Sequence, residues 1–208
     1  MTALSPWPTI HAERKALAAD LASLTDDQWA TPSLCAGWTV REALGHLAAT
    51  AATTPSKFFA SLVGSGFRFN AMTSKAIARE CEGNPADTLR RFGDHADAST
   101  HPPGPVDSWL GETIVHSEDI RRPLGITHSY PLDAVTRVAD FYRKSNLLIG
   151  GKKRAAGLTL RATDTDWTAG TGPEVAGPAV AIVLAITGRS AALGELAGDG
   201  VAALRARG

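Results

Sequence analysis

The first half of the chain alternates short amphipathic runs with polar breaks, which is typical of a bundle of helices. Apolar side chains recur at helical spacing at Ile10, Leu17, Leu21 and Leu24. This spacing predicts a first helix over residues 9–24 that turns one apolar face to a core.

Polar capping residues mark where the following helices begin. Thr39 and Glu42 form a capping-box pattern, in which each side chain accepts a hydrogen bond from the other residue's backbone N–H. The helix that begins there is expected to kink or end at Pro55. Asn84 followed by Pro85 predicts another start. Further helices are predicted over residues 70–80, from Asp107 to Pro123, and over residues 132–148.

The character of the chain changes at Gly150 and Gly151. Residues 158–162 alternate apolar and polar side chains as a strand does, and residues 167–169 are a candidate partner strand. A strongly apolar helix then opens after Gly177-Pro178. The predicted organisation is a helical bundle over residues 1–150 and a small α/β domain over residues 151–208.

The composition of the chain gives no support for several classes of function. Of the 208 residues, 44% are hydrophobic, and 21 basic residues balance 21 acidic ones. This balance gives no electrostatic reason to expect nucleic acid or a membrane surface as a partner. The N-terminus lacks the pattern of a secretory signal, and the two cysteines are too few for a disulfide framework, so a cytoplasmic protein is expected. The oligomeric state is left open.

Three side chains carry the candidate chemistry. Glu112 and His116 are four residues apart and therefore share one face of the predicted helix, and His46 lies on an earlier helix. Two imidazoles and one carboxylate can hold a catalytic zinc with one position open, although nickel, iron and manganese suit the same ligand types. The spacing alone also fits a solvated helix face with an unrelated core histidine.

Asp119 extends the polar stripe of the same predicted helix. It lies three residues after His116, so it can form a hydrogen bond to a metal ligand or act as an acid or base beside the open coordination position of the metal. A metal there would lower the pKa of a bound water or thiol, or polarise a carbonyl group.

Three stretches of the sequence resemble the mycothiol-dependent maleylpyruvate isomerase family, within the DinB-like metal-binding helical bundles. The segment LTDDQWATPSLCAGWTVREALGHLAA is similar to the family's N-terminal motif, and His46 matches its first histidine ligand. The second motif, Glu-x-x-x-His with a downstream Asp and Arg-Pro-Leu-Gly, matches Glu112, His116, Asp119 and residues 122–125. The C-terminal run from residue 164 also resembles the family's small C-terminal domain.

The resemblance implies a mainly α fold, a DinB-like antiparallel four-helix bundle followed by a small α/β C-terminal domain. It implies an enzyme whose divalent metal, expected to be zinc, is held by His46, Glu112 and His116. The open position would receive the thiol of mycothiol, a small thiol of actinobacteria. In maleylpyruvate isomerisation, the thiolate adds to the cis double bond, the new single bond rotates, and elimination gives the trans isomer. Arg189 matches the family's arginine near the active site, where its fork would hold a substrate carboxylate; a solvated helix-end arginine is the alternative.

The expected function is therefore a metal- and mycothiol-dependent isomerase or thiol transferase acting on a small electrophile. A DinB-like metal-dependent hydrolase and a non-catalytic metal- or thiol-binding stress protein are the alternatives. Of the remaining residues, Cys35 is expected to be a loop or core thiol and Trp38 a packing anchor. Arg121 and Arg122 are expected at a solvated helix C-terminus.

Overall fold

The structure is a computed structural model that describes residues 5–146 and 149–208. The described chain divides into two compact units, Met1–His128 and Ser129–Gly208. The mainly helical fold predicted from the sequence is confirmed, with one small sheet in the second unit.

Helices make up the first unit. Their bounds are α1 Trp7–Asp20, α2 Asp26–Trp29, α3 Val40–Ala51, α4 Pro55–Gly64, α5 Phe69–Glu80, α6 Pro85–Asp94 and α7 Val106–Arg121, followed by a short 3₁₀ turn at Arg122–Leu124. Helix α3 packs against α5, α6 and α7, and α1 packs against α6 and α7. The core between them is apolar and contains Leu17, Leu21, Val40, Leu44, Leu47, Phe92 and Ile120.

Side-chain caps define the start of α3, the helix that carries His46. The Thr39 Oγ1 atom accepts a hydrogen bond from the Glu42 backbone N–H at 3.2 Å, and the Thr39 N–H donates to Glu42 Oε2 at 2.8 Å. The predicted capping box is therefore confirmed, as is the start of α6 after Asn84. Helix α3 ends at Ala51, and Pro55 occupies the first turn of α4, where a missing N–H costs nothing.

The predicted start of α7 at Asp107 is corrected by the structure. Pro105 is the residue that precedes the helix, and Asp107 lies inside its first turn. An acidic side chain there is favourable without acting as the cap, because the helix dipole is positive at this end.

The second unit places a three-stranded sheet against an apolar helix. Its elements are α8 Leu132–Tyr142, α9 Gly151–Ala155, β1 Thr159–Ala162, β2 Thr168–Gly170, β3 Glu174–Gly177, α10 Ala179–Ile186 and α11 Val201–Arg205. The strand order is β2-β1-β3, with β2 antiparallel and β3 parallel to β1. The strand β3 was not anticipated from its glycine-rich sequence.

Helix α8 belongs by packing to the second unit. Its buried face, formed by Ala134, Val135, Val138 and Ala139, packs with α10. The sequence places the domain boundary at residue 150, beyond this helix, because the change from helix to strand begins there. The helix predicted over residues 132–148 ends at Tyr142, and residues 147 and 148 lie outside the described part of the chain.

Within the described residues, every helix is too short or too polar to cross a bilayer.

Candidate metal centre

The structure brings His46, Glu112 and His116 together inside the first unit. Helix α3 supplies His46, and successive turns of α7 supply the other two. The His46 Nε2 atom lies 3.8 Å from Glu112 Oε1, and the centroids of the two imidazole rings are 4.8 Å apart. The rings meet edge to face at 76°. Side chains 66 residues apart in the sequence therefore lie near one another, because α3 packs directly against α7.

Each of these three side chains keeps a small exposed part. The exposed fraction is 20% for His46 and 16% for both Glu112 and His116. A catalytic metal needs protein ligands on one side and access for a small molecule on the other. Partial burial of all three donors meets both needs.

Asp119 holds His116 from behind. Its Oδ2 atom lies 2.8 Å from His116 Nδ1, and its side chain is fully buried. Since a carboxylate accepts, we assign the Nδ1 atom as the donor. The proton on Nδ1 leaves Nε2 as the ring nitrogen for a metal. A carboxylate on the second nitrogen of a ligating histidine is the usual arrangement in metal sites.

A second group of potential ligands shares His116. Cys35 Sγ, His116 Nδ1 and an Asp119 carboxylate oxygen all lie within 4.8 Å of one another, close enough to consider a metal among them. The sulfur lies 2.9 Å from Asp119 Oδ2 and 3.3 Å from His116 Nδ1.

The distances between potential metal-ligand atoms differ between the His46–Glu112–His116 group and the Cys35–His116–Asp119 group. Donors bound tetrahedrally at about 2.0–2.3 Å lie about 3.3–3.8 Å apart. The Nδ1–Oδ2 and Sγ–Oδ2 distances of 2.8 and 2.9 Å are shorter than this and are typical of hydrogen bonds. The His46–Glu112 distance of 3.8 Å is longer than a hydrogen bond and leaves room for a bound ion. The contacts of Asp119 with His116 and Cys35 therefore have hydrogen-bond lengths, whereas His46 and Glu112 are separated by about the distance expected of two donors around one ion.

The electrostatics of Glu112 fit a cation. Burial raises the pKa of this carboxyl group, although the neighbouring charge of His116, a hydrogen bond from Thr50 and the charge of Arg14 oppose the rise. Arg14 is itself buried, and its Nη1 atom donates to the Ala98 carbonyl oxygen at 2.9 Å. A divalent ion beside Glu112 would stabilise the ionised carboxylate in this partly desolvated place.

The protonation of His116 follows from its partners. Burial alone lowers its pKa, but the hydrogen bonds of the ring with Asp119 and Cys35, together with the charge of Asp119, outweigh burial and raise the pKa to about 10. In the metal-free protein this imidazole is therefore positively charged at neutral pH. A metal that binds at Nε2 must replace one proton there.

Trp38 contacts both histidine rings as well as the core. Its ring centroid lies 5.1 Å from that of His46 and 6.3 Å from that of His116. The indole also packs against the apolar core of the first unit. The packing role predicted for Trp38 thus extends to the candidate ligands.

Sequence reasoning missed the contacts of Cys35. The thiol was expected to be a simple loop or core side chain, whereas it meets the His116–Asp119 pair. The available signal was its place in the Cys-x-Gly-Trp motif, immediately before the helix of His46.

The two arginines after Asp119 are not solvated as expected. Arg121 is completely buried and pairs with Asp20 at 2.7 Å, and Arg122 pairs with Glu118 at 2.7 Å. Because α7 is buried on almost every side, its last turn lies inside the protein, and these guanidinium groups have carboxylate partners.

Arg189 lies in the second unit, at the start of a 3₁₀ turn over Ser190–Glu195. It is half-buried, and its Nη1 atom donates to the Thr187 carbonyl oxygen at 3.0 Å. Its predicted contact with substrate stays a prediction.

Comparisons with known proteins agree with the fold and the first motif. Residues 10–101 match the family model of the mycothiol maleylpyruvate isomerase N-terminal domain. Two crystal structures of a mycothiol-dependent maleylpyruvate isomerase, one of a histidine-to-alanine mutant, each cover 93% of this chain and 91% of their own. Their TM-scores are 0.63 and 0.62 at 16% identity, which shows a common fold. A comparison with curated proteins gives no significant match.

The fold, a helical bundle with a small α/β C-terminal unit, is therefore the fold of these two crystal structures. Residues 10–101 resemble the mycothiol maleylpyruvate isomerase N-terminal domain, so the predicted resemblance is confirmed. The matched region contains His46 and ends before Glu112, so the other two candidate ligands rest on the geometry of α7.

Proposed function

We propose that this protein is a metal- and mycothiol-dependent isomerase or thiol transferase that acts on a small electrophilic substrate. The observation that carries the proposal is the convergence of His46, Glu112 and His116, with Asp119 holding the far side of His116. The family of the N-terminal region points to mycothiol as the thiol.

His46 Nε2, a Glu112 carboxylate oxygen and His116 Nε2 would hold the metal, which we expect to be zinc. A divalent metal in this position lowers the pKa of a coordinated thiol and so favours the nucleophilic thiolate. The residues present fit such an ion, because the partly buried Glu112 carboxylate lies 3.8 Å from His46 Nε2, beyond hydrogen-bond distance, and the His46 and His116 rings are neighbours.

Other residues around the proposed metal site would orient the ligands, favour their charged form or bind the substrate, without binding the metal themselves. Asp119 holds the proton on His116 Nδ1 and thereby fixes the ring orientation. Arg14 and Thr50 favour the ionised form of Glu112. Arg189 would bind a substrate carboxylate through its guanidinium fork, as the family resemblance implies.

A thermal-shift titration tests the thiol. Metal-loaded protein is titrated with mycothiol and, as a matched control, with glutathione. A ligand that binds the folded state raises the melting temperature as its concentration increases. At a ligand concentration of a hundred times the dissociation constant, the free energy of unfolding increases by about 2.7 kcal/mol. We expect mycothiol to stabilise the loaded protein more than the metal-free protein.

The same titration separates the alternatives. A hydrolase that uses water would show turnover of an ester or amide and no mycothiol shift. Equal stabilisation of loaded and metal-free protein would indicate thiol binding away from the metal. Either result would contradict the proposed function.

A further inference from the structure

The loop before α3, residues 32–39, is a folded element that we call the platform loop. Pro32 and Thr39 pair across its ends, and the Ser33 backbone N–H donates to the Trp38 carbonyl oxygen at 2.9 Å. The Ser33 hydroxyl donates to the same carbonyl oxygen at 2.8 Å and accepts from the Cys35 N–H at 3.2 Å. The position of Cys35 is therefore fixed by local hydrogen bonds.

This platform loop is tied to α7 at Asp119. The Leu34 backbone N–H donates to the Asp119 carbonyl oxygen at 3.0 Å, and Cys35 Sγ donates to Asp119 Oδ2 at 2.9 Å. The loop thus contacts both the backbone and the side chain of the residue that orients His116. Trp38, from the other end of the loop, lies against the rings of His46 and His116.

We infer that Cys35 is a positioning residue for the metal centre: its thiol donates to the Asp119 oxygen that receives the His116 Nδ1 proton, and so fixes the ring of His116. This inference rests on the proposed metal-dependent function. A carboxylate held by a single side-chain donor can turn about its last bond, whereas a second donor from a separate segment restricts that rotation. Restricting Asp119 restricts the imidazole and keeps Nε2 directed toward the metal position.

A role for Cys35 as a metal ligand predicts different behaviour. The sulfur lies on the Nδ1 side of His116, at hydrogen-bond distance from a carboxylate. A direct ligand would give cobalt-loaded protein a strong sulfur-to-cobalt charge-transfer band in the absence of added thiol. A positioning residue gives no such band.

The variants are Cys35→Ala, which removes the donor, and Cys35→Ser, which retains one. Cys81→Ser is the matched control, since it changes the only other thiol, whose Sγ lies 3.6 Å from the Arg41 carbonyl oxygen. If Cys35→Ala does not fold, Cys35→Val provides a larger side chain without a donor. Cobalt(II) affinity is measured by competition with a chromophoric chelator, and the visible spectrum is recorded in parallel. The imidazole N–H resonance of His116 is followed by NMR in the metal-free protein.

We expect Cys35→Ala to weaken cobalt binding by about fivefold, as loss of one hydrogen bond behind a ligand predicts. It should also shift the His116 N–H resonance. Cys35→Ser should restore both to within about twofold, and Cys81→Ser should match the wild type.

Three results would overturn the positioning role: wild-type affinity and spectrum in Cys35→Ala, a loss that Cys35→Ser does not restore, or a charge-transfer band that requires Cys35. Failure of the wild-type protein to bind any metal would instead refute the proposed function. The two failures are therefore distinguishable.

Discussion

His116 and Asp119 lie one turn apart on α7, and the imidazole Nδ1 atom is 2.8 Å from the buried carboxylate oxygen Oδ2. This contact separates the two sides of the histidine ring. The Nδ1 side of the ring is hydrogen-bonded to protein groups. The opposite side carries Nε2, the nitrogen that we propose binds the metal. The same pair explains why His116 is charged in the metal-free protein, because a fully buried carboxylate stabilises the imidazolium.

Removing the carboxylate of Asp119 should weaken metal binding. We expect Asp119→Ala to reduce zinc affinity by about 10- to 100-fold, the usual effect of losing the partner of a ligating histidine. Asp119→Asn should lose less, because its amide oxygen can still accept from Nδ1. Competition titration with a chromophoric chelator measures both. Wild-type affinity in Asp119→Ala would show that the carboxylate does not support the ligand.

Stability of the metal-free protein should fall as pH rises from 6.5 towards 10. The folded-state pKa of His116 is raised from 6.5 to about 10, so the folded protein holds a proton that the unfolded chain has lost in this window. The contribution is complete below pH 6.5 and decreases by at most about 1.4 kcal/mol per pH unit above it. Urea denaturation across this range should give a steeper decline for the wild type than for Asp119→Asn. Parallel profiles would contradict the assigned pair.

The cap of α3 should contribute more to stability than the similar cap of α4. Thr39→Ala should lower the free energy of unfolding by about 1 kcal/mol, because Thr39 begins a helix packed into the core. Thr54 caps α4 with one side-chain hydrogen bond, from the Lys57 N–H, and no residue of α4 is buried, so Thr54→Ala should cost less. Urea denaturation of both variants checks this. Equal losses would mean that burial of the helix does not matter here.

Removing the guanidinium group of Arg189 should lower turnover of a carboxylate-bearing substrate without lowering the metal content of the protein. We expect Arg189→Ala to lower kcat/KM for an electrophilic substrate that carries a carboxylate by about tenfold or more, as loss of a charged hydrogen bond predicts. Arg189→Lys should be intermediate, because it keeps the charge without the fork. Arg205→Ala, an exposed arginine of the same unit, is the control. Unchanged kcat/KM in Arg189→Ala, with normal metal content, would remove the proposed role.

Local sequence signals predicted much of the fold, and the metal-ligand role of His46, Glu112 and His116 stays a prediction. The Thr39–Glu42 and Asn84 caps are encoded within four residues, and their helices begin as expected. The four-residue spacing of Glu112 and His116 put both on one face of α7. His46 was a candidate third ligand on another helix, and the resemblance to a family motif supported it, since spacing along the chain says nothing about which helices pack together.

Contacts that depend on tertiary packing could not be predicted. The approach of Cys35 to Asp119 spans 84 positions and requires the platform loop to fold against α7. Arg121 follows an ordinary helix-end pattern, yet it is buried because almost all of α7 is enclosed. Helix α8 packs with α10 in the second unit, which no feature of its own sequence indicates.

Metal content after loading and dialysis tests the central claim most directly. The wild-type protein, His46→Ala, Glu112→Ala and His116→Ala are compared with His11→Ala, whose ring contacts Ser99 instead. We predict about one zinc per chain in the wild type and in His11→Ala, and little or none in the other three, as expected of a three-ligand site. Stoichiometric zinc in His116→Ala or Glu112→Ala would contradict the account.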